Sequence, residues 1–186
     1  GGSTTGEPMR FHNDRATRDW GRAAFYRGFH WAQCPPGTPS LEVWGQPVRD
    51  VTLQSKINTG AMQILFGWRS INAFRLDDDL IRECIDVIKS DSIELVYAYT
   101  SSLAEICRYI LKHGIVIDSV RAVITTAEVL YPDVRELISK ALNADVFDGY
   151  GCSELNGLAY ETEDHDGFHV AMERAIIEAV DDDGRP

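Results

Sequence analysis

The sequence has little of what secreted, membrane-spanning or nucleic-acid-binding proteins need. Its four cysteines include no C-x-x-C pair, so we expect neither a zinc framework nor a disulfide lattice, and a cytoplasmic location. No apolar run is long enough to span a bilayer, and no stretch has the pattern of a signal peptide. Basic residues number 18 against 29 acidic ones, a net charge of -11. This balance argues against a nucleic-acid partner, although local donors can still hold a small anionic ligand.

The composition instead indicates a packed globular core. Hydrophobic residues make up 44% and charged residues 25% of the 186 residues, and this length suits one domain or a large part of one. The sequence starts within a glycine-rich motif and stops at DDDGRP. We therefore expect a piece of a longer protein.

From about residue 77 the sequence alternates helical and strand-like segments. Apolar residues at helical spacing predict helices over 77–90, 101–114 and 131–143. Runs rich in β-branched and aromatic residues predict strands over 92–99, 120–126 and 144–151. The first and last parts of the sequence are less regular. The first part predicts a helix over 13–32, a loop over 34–40 and a strand over 41–45, and the last part predicts one or two strands with a turn over 167–186. The predicted fold class is α/β, a mainly parallel sheet flanked by helices.

Three polar clusters follow three successive predicted strands, namely YTSS at 99–102, TTAE at 125–128 and GYGCSE at 149–154. Ligands of open parallel sheets bind beyond the carboxyl ends of the strands, so the three clusters should meet at one edge. Each residue taken singly is better explained as a helix cap, a turn residue or a solvated carboxylate. Together they favour a nucleotide site, with an aromatic ring for the base and a carboxylate for Mg²⁺.

The first eight residues, GGSTTGEP, allow two interpretations. Glycine-rich and hydroxyl-rich stretches are common in flexible linkers and expression scars. Small residues also let backbone N–H groups surround a phosphate, to which serine and threonine hydroxyls add further donors. The segment is not a Walker A loop, because it lacks the Gly-Lys-Ser/Thr ending.

These motifs together resemble the adenylate-forming (acyl-CoA synthetase-like) superfamily. GGSTTGEP is similar to its phosphate-binding loop, YGCSE at 150–154 to its aromatic-Gly-x-Ser/Thr-Glu motif, and TAE at 126–128 to its Gly/Ala-Glu turn beside adenine. Three longer stretches resemble the phenylacetate–CoA ligase-like branch, closest to variants associated with capsular polysaccharide biosynthesis: VWGQPVRD (43–50), YGCSELNGLAYE (150–161) and DGFHVAMERAIIE (166–178). The resemblance implies that residues 1–186 are a partial AMP-binding domain, the central part of the large N-terminal domain. The opening subdomain and the small C-terminal lid domain would be missing.

The resemblance implies ATP-dependent activation of a small carboxylic acid to an acyl-adenylate, followed by transfer to a thiol. Coenzyme A is the expected acceptor, and a carrier-protein thiol or an amine are alternatives. ATP, Mg²⁺ and coenzyme A are therefore the implied cofactors. The substrate carboxylate is itself the nucleophile, so no Ser–His–Asp arrangement is needed. The family's adenylation lysine lies in the C-terminal domain, so this chain alone is expected to turn over negligibly.

The resemblance also implies roles for the matching residues. The β- and γ-phosphates would be bound by Ser3, Thr4, Thr5 and Gly6. Glu154 would hold Mg²⁺, and Ser153 would reach the α-phosphate. The adenine site would be formed by Tyr150, which stacks on the base, together with Gly151, Ala127 and Glu128. The acyl pocket would include Tyr99 and Thr100.

One departure and two alternatives remain. Thr162 stands where many relatives have a cysteine that in some helps to hold zinc, so no zinc site is expected. Glu161, His165 and His169 have i, i+4 spacing, but Gly167 favours a turn followed by a strand over a helix. A nucleotide-sugar transferase would need paired carboxylates at a strand end, whereas the two DDD runs resemble a helix cap and an acidic turn. A non-catalytic relative would keep the fold as a nucleotide-binding or scaffold module.

Overall fold

The computed structural model describes residues 11–45, 66–152 and 154–185. Its helices are α1 (Arg15–Trp31), α2 (Asp78–Ser90), α3 (Thr100–Lys112) and α4 (Pro132–Leu142). Its strands are β1 (Ser40–Trp44), β2 (Trp68–Asn72), β3 (Leu95–Tyr99), β4 (Ala122–Thr126), β5 (Asp145–Cys152), β6 (Asn156–Glu161) and β7 (Phe168–Val170). No helix within these ranges is both long and apolar enough to cross a membrane.

The strands form one sheet in the order β2-β1-β3-β4-β5-β6-β7. Neighbours from β2 to β5 pair in parallel, and β6 and β7 add antiparallel pairs at one end. The predicted α/β class, with a mainly parallel sheet flanked by helices, is confirmed. It follows from the alternation of strand and helix segments, because each helix carries the chain back to start the next parallel strand.

Local signals set the helix ends. The Asp77 carboxylate accepts a hydrogen bond from the Leu80 amide (3.0 Å) and starts α2, as the run of aspartates predicts. The Asp14 carboxylate does the same for α1, through the Thr17 amide (2.7 Å). Asn143 ends α4 in the left-handed conformation (φ 50°).

Three segments differ in detail from the sequence expectations. The strand predicted over 92–99 begins only at Leu95, because Ser92 has a left-handed backbone (φ 49°) and the Ile93 amide closes the end of α2. Strands β2 and β6 are not predicted from the sequence, because these short segments show no regular alternation of apolar and polar residues. The last segment agrees with its prediction, since it contains one described strand, β7, and a turn in which the Gly184 amide donates to the Asp181 carbonyl (2.9 Å).

The two faces of the sheet bury different side chains, since successive strand residues point to opposite sides. One side, which we call the aliphatic face, packs against α2, α3 and α4 through small and aliphatic strand residues such as Val43, Val96 and Val123. The other side, the aromatic face, packs against α1 through Tyr97, Phe147 and Tyr160, with Trp44 and Trp68 at its margin.

Candidate functional site

A cavity of about 660 Å³ lies on the aromatic face, at the carboxyl ends of the parallel strands. It is bounded by the ends of β1, β3 and β4, by the β5–β6 turn and by Phe25 of α1. Four of the predicted site residues line it together: Tyr99, Ala127, Gly151 and Glu154. The three polar clusters therefore do meet at one edge of the sheet, as the parallel topology predicts.

The other predicted site residues lie elsewhere. Tyr150 is not among the residues that line the cavity; it is 55% exposed, with its ring centroid 6.2 Å from that of Phe168. Thr100 is buried, and its hydroxyl donates to the Glu128 carbonyl (3.3 Å). Glu128 does not line the cavity either, and its carboxylate contacts Ser101 of α3. The last five lie outside the described residues: Ser3, Thr4, Thr5, Gly6 and Ser153.

The loop after β4 is strained and also supports the start of α3. Ala127 has a left-handed backbone (φ 69°), a conformation that L side chains disfavour and that often occurs at functional sites. The Glu128 carboxylate accepts hydrogen bonds from the Ser101 amide (2.6 Å) and the Ser101 hydroxyl (2.9 Å). Tyr99 occupies the N-cap position without a capping side chain. Glu128 therefore caps α3 from the neighbouring strand's loop.

The β5–β6 turn, which carries the YGCSE motif, is held against α1 by polar contacts. The Asn13 amide side chain donates to the Glu154 carbonyl (3.0 Å), across 141 positions of sequence. The Arg174 guanidinium donates to the Leu155 carbonyl and, at 3.4 Å, to the Gly157 carbonyl. The beginning of α1 and the motif turn therefore have a fixed relation to each other.

Tyr160 fills the space between α1 and the sheet because glycines leave room for its ring. A Cβ atom at Gly28 would lie 2.5 Å from the Tyr160 ring, and one at Gly157 would lie 1.9 Å from its hydroxyl oxygen. Burial raises the pKa of Tyr160, although the positive charge of Arg174 lowers it in part. The ring therefore stays neutral and acts as a packed wall of the cavity.

Glu42 is a carboxylate inside the cavity that the sequence did not single out. It is half-buried in the middle of β1, beside Ser70 of β2 and Tyr97 of β3. Its carboxylate accepts a hydrogen bond from the Ser70 hydroxyl (2.9 Å). Burial raises the pKa of Glu42 above its ordinary value, while hydrogen bonds from Ser70 and Trp68 lower it in part. Only the pairing of the strands places this residue on the cavity face.

A partly buried ion pair joins β5 and β6, the strands on either side of the YGCSE motif turn, to α4. The Glu161 carboxylate accepts two hydrogen bonds from the Arg135 guanidinium (2.7 and 3.0 Å) and one from the Asp148 amide (2.9 Å). Burial by itself would raise the pKa of Glu161, but the hydrogen bonds from Arg135 and Asp148 outweigh it and the pKa is lowered. His165 Nδ1 lies 3.3 Å from the same carboxylate, in the turn before β7. The predicted turn and strand are thus confirmed, and the described residues contain no cluster that could hold a metal ion.

The comparisons with known proteins find similarity among solved structures only. No family model matches the chain, and no curated protein matches its sequence. A 2-hydroxyisobutyryl-CoA ligase, solved with 2-HIB-AMP and CoA in the thioesterification state, matches with a TM-score of 0.60 at 15% identity, covering 89% of this chain and 35% of that one. A luciferase-like enzyme from the nonluminescent mealworm Zophobas morio gives 0.56 at 15% identity, covering 82% and 33%.

A third match is the O-succinylbenzoate coenzyme A synthetase of Bacillus subtilis, solved with ATP and magnesium ion. It gives a TM-score of 0.51 at 11% identity and covers 80% of this chain and 29% of that one. The described fold is therefore that of a domain of adenylate-forming enzymes. The chain spans about a third of the length of these structural neighbours.

Proposed function

We propose that this chain is the central part of the adenylation domain of a longer ligase, without the opening subdomain and the lid domain. The enzyme would activate a carboxylic acid with ATP and transfer the acyl group to a thiol, with coenzyme A as the acceptor, in the cytoplasm. The observation that carries this proposal is one cavity, on the sheet of an acyl-CoA ligase fold, that brings together Glu154, Gly151, Ala127 and Tyr99. We propose the phenylacetate–CoA ligase-like branch on the basis of the sequence motifs.

The proposed chemistry needs charge neutralisation and positioning more than a protein nucleophile. The substrate carboxylate attacks the α-phosphorus of ATP, its oxygen forms the new bond, and pyrophosphate leaves with the electrons of the broken bond. Glu154 lines the cavity, and one carboxylate together with nucleotide phosphates is a donor set that suits Mg²⁺. Mg²⁺ held there would neutralise charge on the phosphates. Ser153, its neighbour in sequence, is proposed to contact the α-phosphate.

The GGSTTGEP segment is proposed to hold the β- and γ-phosphates through Ser3, Thr4, Thr5 and Gly6. The support for this assignment comes from Asn13, which follows Pro8 by five positions in the sequence. Because its side chain is bonded to the Glu154 carbonyl, Asn13 lies beside the motif turn. Both phosphate-binding motifs would then serve one nucleotide.

The base and the acyl group are proposed to occupy different parts of the site. Tyr150 exposes its ring and would stack on adenine, next to Gly151 and the strained Ala127. Because the Glu128 carboxylate already accepts two hydrogen bonds from Ser101, we propose that Glu128 meets the base through its backbone. Tyr99 would line the acyl pocket, with Thr100 holding the loop behind it.

The experiment that tests this proposal is pyrophosphate release by the full-length protein with ATP, Mg²⁺ and a panel of carboxylic acids. Glu154→Gln removes the proposed metal ligand at nearly constant shape, and we expect kcat to fall by about 100-fold or more. Glu136→Gln, an exposed glutamate on α4, is the matched control and should leave the rate unchanged.

Other outcomes identify the alternatives. ATP binding without pyrophosphate release from any acid would favour a non-catalytic nucleotide-binding or scaffold protein. Release that is unaffected by Glu154→Gln would show that the metal ligand has been placed wrongly. Transfer of a sugar from a nucleotide-sugar would replace the ligase by a nucleotide-sugar transferase.

A further inference from the structure

We propose that Glu42 determines which acid is activated, and that this acid carries a cationic amino group at the end remote from its carboxylate. The inference rests on the proposed function and deepens it by naming the substrate class.

Glu42 is placed to meet the acyl end of a substrate and not its phosphates. It lies on β1, whereas Glu154 lies at the β5–β6 turn, and strands β3 and β4 separate β1 from β5. Adjacent strands are about 4.8 Å apart, so three intervals put roughly 14 Å between the two strands. The cavity is therefore wide enough for one carboxylate to serve the nucleotide end and the other the remote end of the acid.

The charge of Glu42 has no cation to offset it within the described residues. Among the residues that the structure describes, its hydrogen-bond partners are the neutral groups of Ser70 and Trp68, and none of the cations there contributes to the shift of its pKa. A half-buried carboxylate with neutral partners only is costly to keep ionised. A ligand ammonium group would supply the missing counter-charge and a charge-assisted hydrogen bond.

The walls next to Glu42 also suit a cation. The rings of Trp44 and Tyr97 stack with their centroids 5.5 Å apart, and Phe25 meets Tyr97 edge-on at 5.4 Å. All three side chains line the same cavity as Glu42. Aromatic faces attract ammonium groups, most strongly where water is excluded, so ring and carboxylate act on the same group.

The same arrangement discriminates against neutral acids. An uncharged aliphatic or aryl group that filled the cavity would remove water from Glu42 and return no hydrogen bond. The desolvation of an uncompensated carboxylate then opposes binding. Selection would therefore come both from attraction of the cationic acid and from rejection of its neutral isostere.

The test compares pairs of acids of similar size on the full-length protein. The pairs are 4-(aminomethyl)benzoate with 4-ethylbenzoate, and 5-aminopentanoate with hexanoate. Pyrophosphate release gives kcat/KM, and calorimetric titration gives binding without chemistry. In wild type we expect the cationic member of at least one pair to be preferred. Glu42→Gln keeps the shape and the acceptor for Ser70, and we expect kcat/KM for that acid to fall by about 100-fold. In Glu42→Gln, kcat/KM for the acids with an uncharged remote end should rise, because the desolvation cost of the carboxylate is removed. In Glu136→Gln, kcat/KM should change by less than about 3-fold for every acid.

The outcomes separate this inference from the proposed function. Activation of neutral acids with no effect of Glu42→Gln would overturn the inference and leave the ligase proposal standing. A cationic acid that binds wild type but not Glu42→Gln, without pyrophosphate release, would support the inference and contradict the ligase proposal. If no cationic acid binds wild type in the titration, the inference is wrong whatever the release assay gives.

Discussion

The two faces of the sheet differ in packing: one is a closed hydrophobic core and the other borders a cavity. The aliphatic face is a continuous cluster of aliphatic side chains and cysteines packed under three helices. The aromatic face has a single described helix, α1, and its rings stack around a cavity that also contains a carboxylate. Close packing on one side supplies the stability that lets the other side remain partly open. Stability and the proposed ligand site are therefore divided between opposite sides of the same strands.

The largest effect should come from a truncation on the aliphatic face. Ile110 of α3 is fully buried there, and Ile110→Ala should lower the free energy of unfolding by about 4 kcal/mol through lost burial and a cavity. Trp44→Leu on the aromatic face should cost less stability but change the preference among acids. Urea unfolding and the acid panel measure the two effects. Equal stability losses would break the proposed division.

The next effect concerns the ion pair behind the motif strands. Arg135→Gln leaves Glu161 buried without its cation and should lower the free energy of unfolding by about 3 kcal/mol at neutral pH. Because the pKa of Glu161 is lowered in the folded state, its stabilisation is present above its ordinary value of 4.5 and is lost as pH falls through the folded pKa. The difference between wild type and Arg135→Gln should therefore shrink below pH 4.5. A double variant with Glu161→Gln should recover part of the loss.

A smaller loss of stability is expected from the contact between the loop after β4, at the edge of the site, and helix α3, which packs on the aliphatic face. Glu128→Ala removes the cap of α3 and should lower the free energy of unfolding by about 1 kcal/mol. Glu105→Ala, in the same helix but exposed and paired with Arg108, is the control and should change stability little. ATP affinity, measured under conditions where both variants are folded, distinguishes the two possible roles of the Glu128 side chain. If the side chain only caps α3, Glu128→Ala should bind ATP as tightly as Glu105→Ala. If it binds the base, Glu128→Ala should bind ATP more weakly.

The smallest effect has the opposite sign. Because burial raises the pKa of Glu42, the folded state disfavours its charged form, and its ionisation destabilises the fold above its ordinary value of 4.5. Glu42→Gln should therefore raise the free energy of unfolding at neutral pH, by roughly 0.5 kcal/mol. The gain should disappear as pH falls below 4.5, when the wild-type carboxyl is protonated in both states. A loss of stability at neutral pH would show that the charge is compensated in the fold.

The sequence predicted the repeating part of the fold because each unit carried its own local signals. Asp77 caps α2 and Pro132 starts α4 as expected, and β3 to β5 contain β-branched and aromatic residues and each follow a helix. The parallel order then placed Tyr99, Ala127 and Glu154 at one edge without further information. Contacts between distant segments were not predictable. The bond from Ser101 to Glu128, for example, depends on which strands are neighbours, and no local pattern encodes it.

The position of Glu42 shows the same limit. In sequence it is one acidic residue in a short strand, a common edge-strand feature facing solvent. The register with Ser70 on one side and Tyr97 on the other turns it inward, under a cavity closed by a helix from earlier in the chain. The register of a strand is set by the burial of all its side chains together. Which face of the sheet Glu42 lies on can therefore be known only once the strand neighbours and their register are known.

The bond between Asn13 and Glu154 joins groups 141 positions apart, and it sets an order of events during synthesis. Helix α1 emerges from the ribosome well before β5 and β6, the strands that hold its polar anchors and the Tyr160 ring against which it packs. Contacts of such sequence separation form slowly, because a long loop must close before they can stabilise anything. The aliphatic face can grow unit by unit as the chain lengthens, whereas the ligand cavity comes into existence only when the last of these strands docks. A nascent chain would therefore be unable to bind the proposed nucleotide until the sheet beneath the cavity was complete.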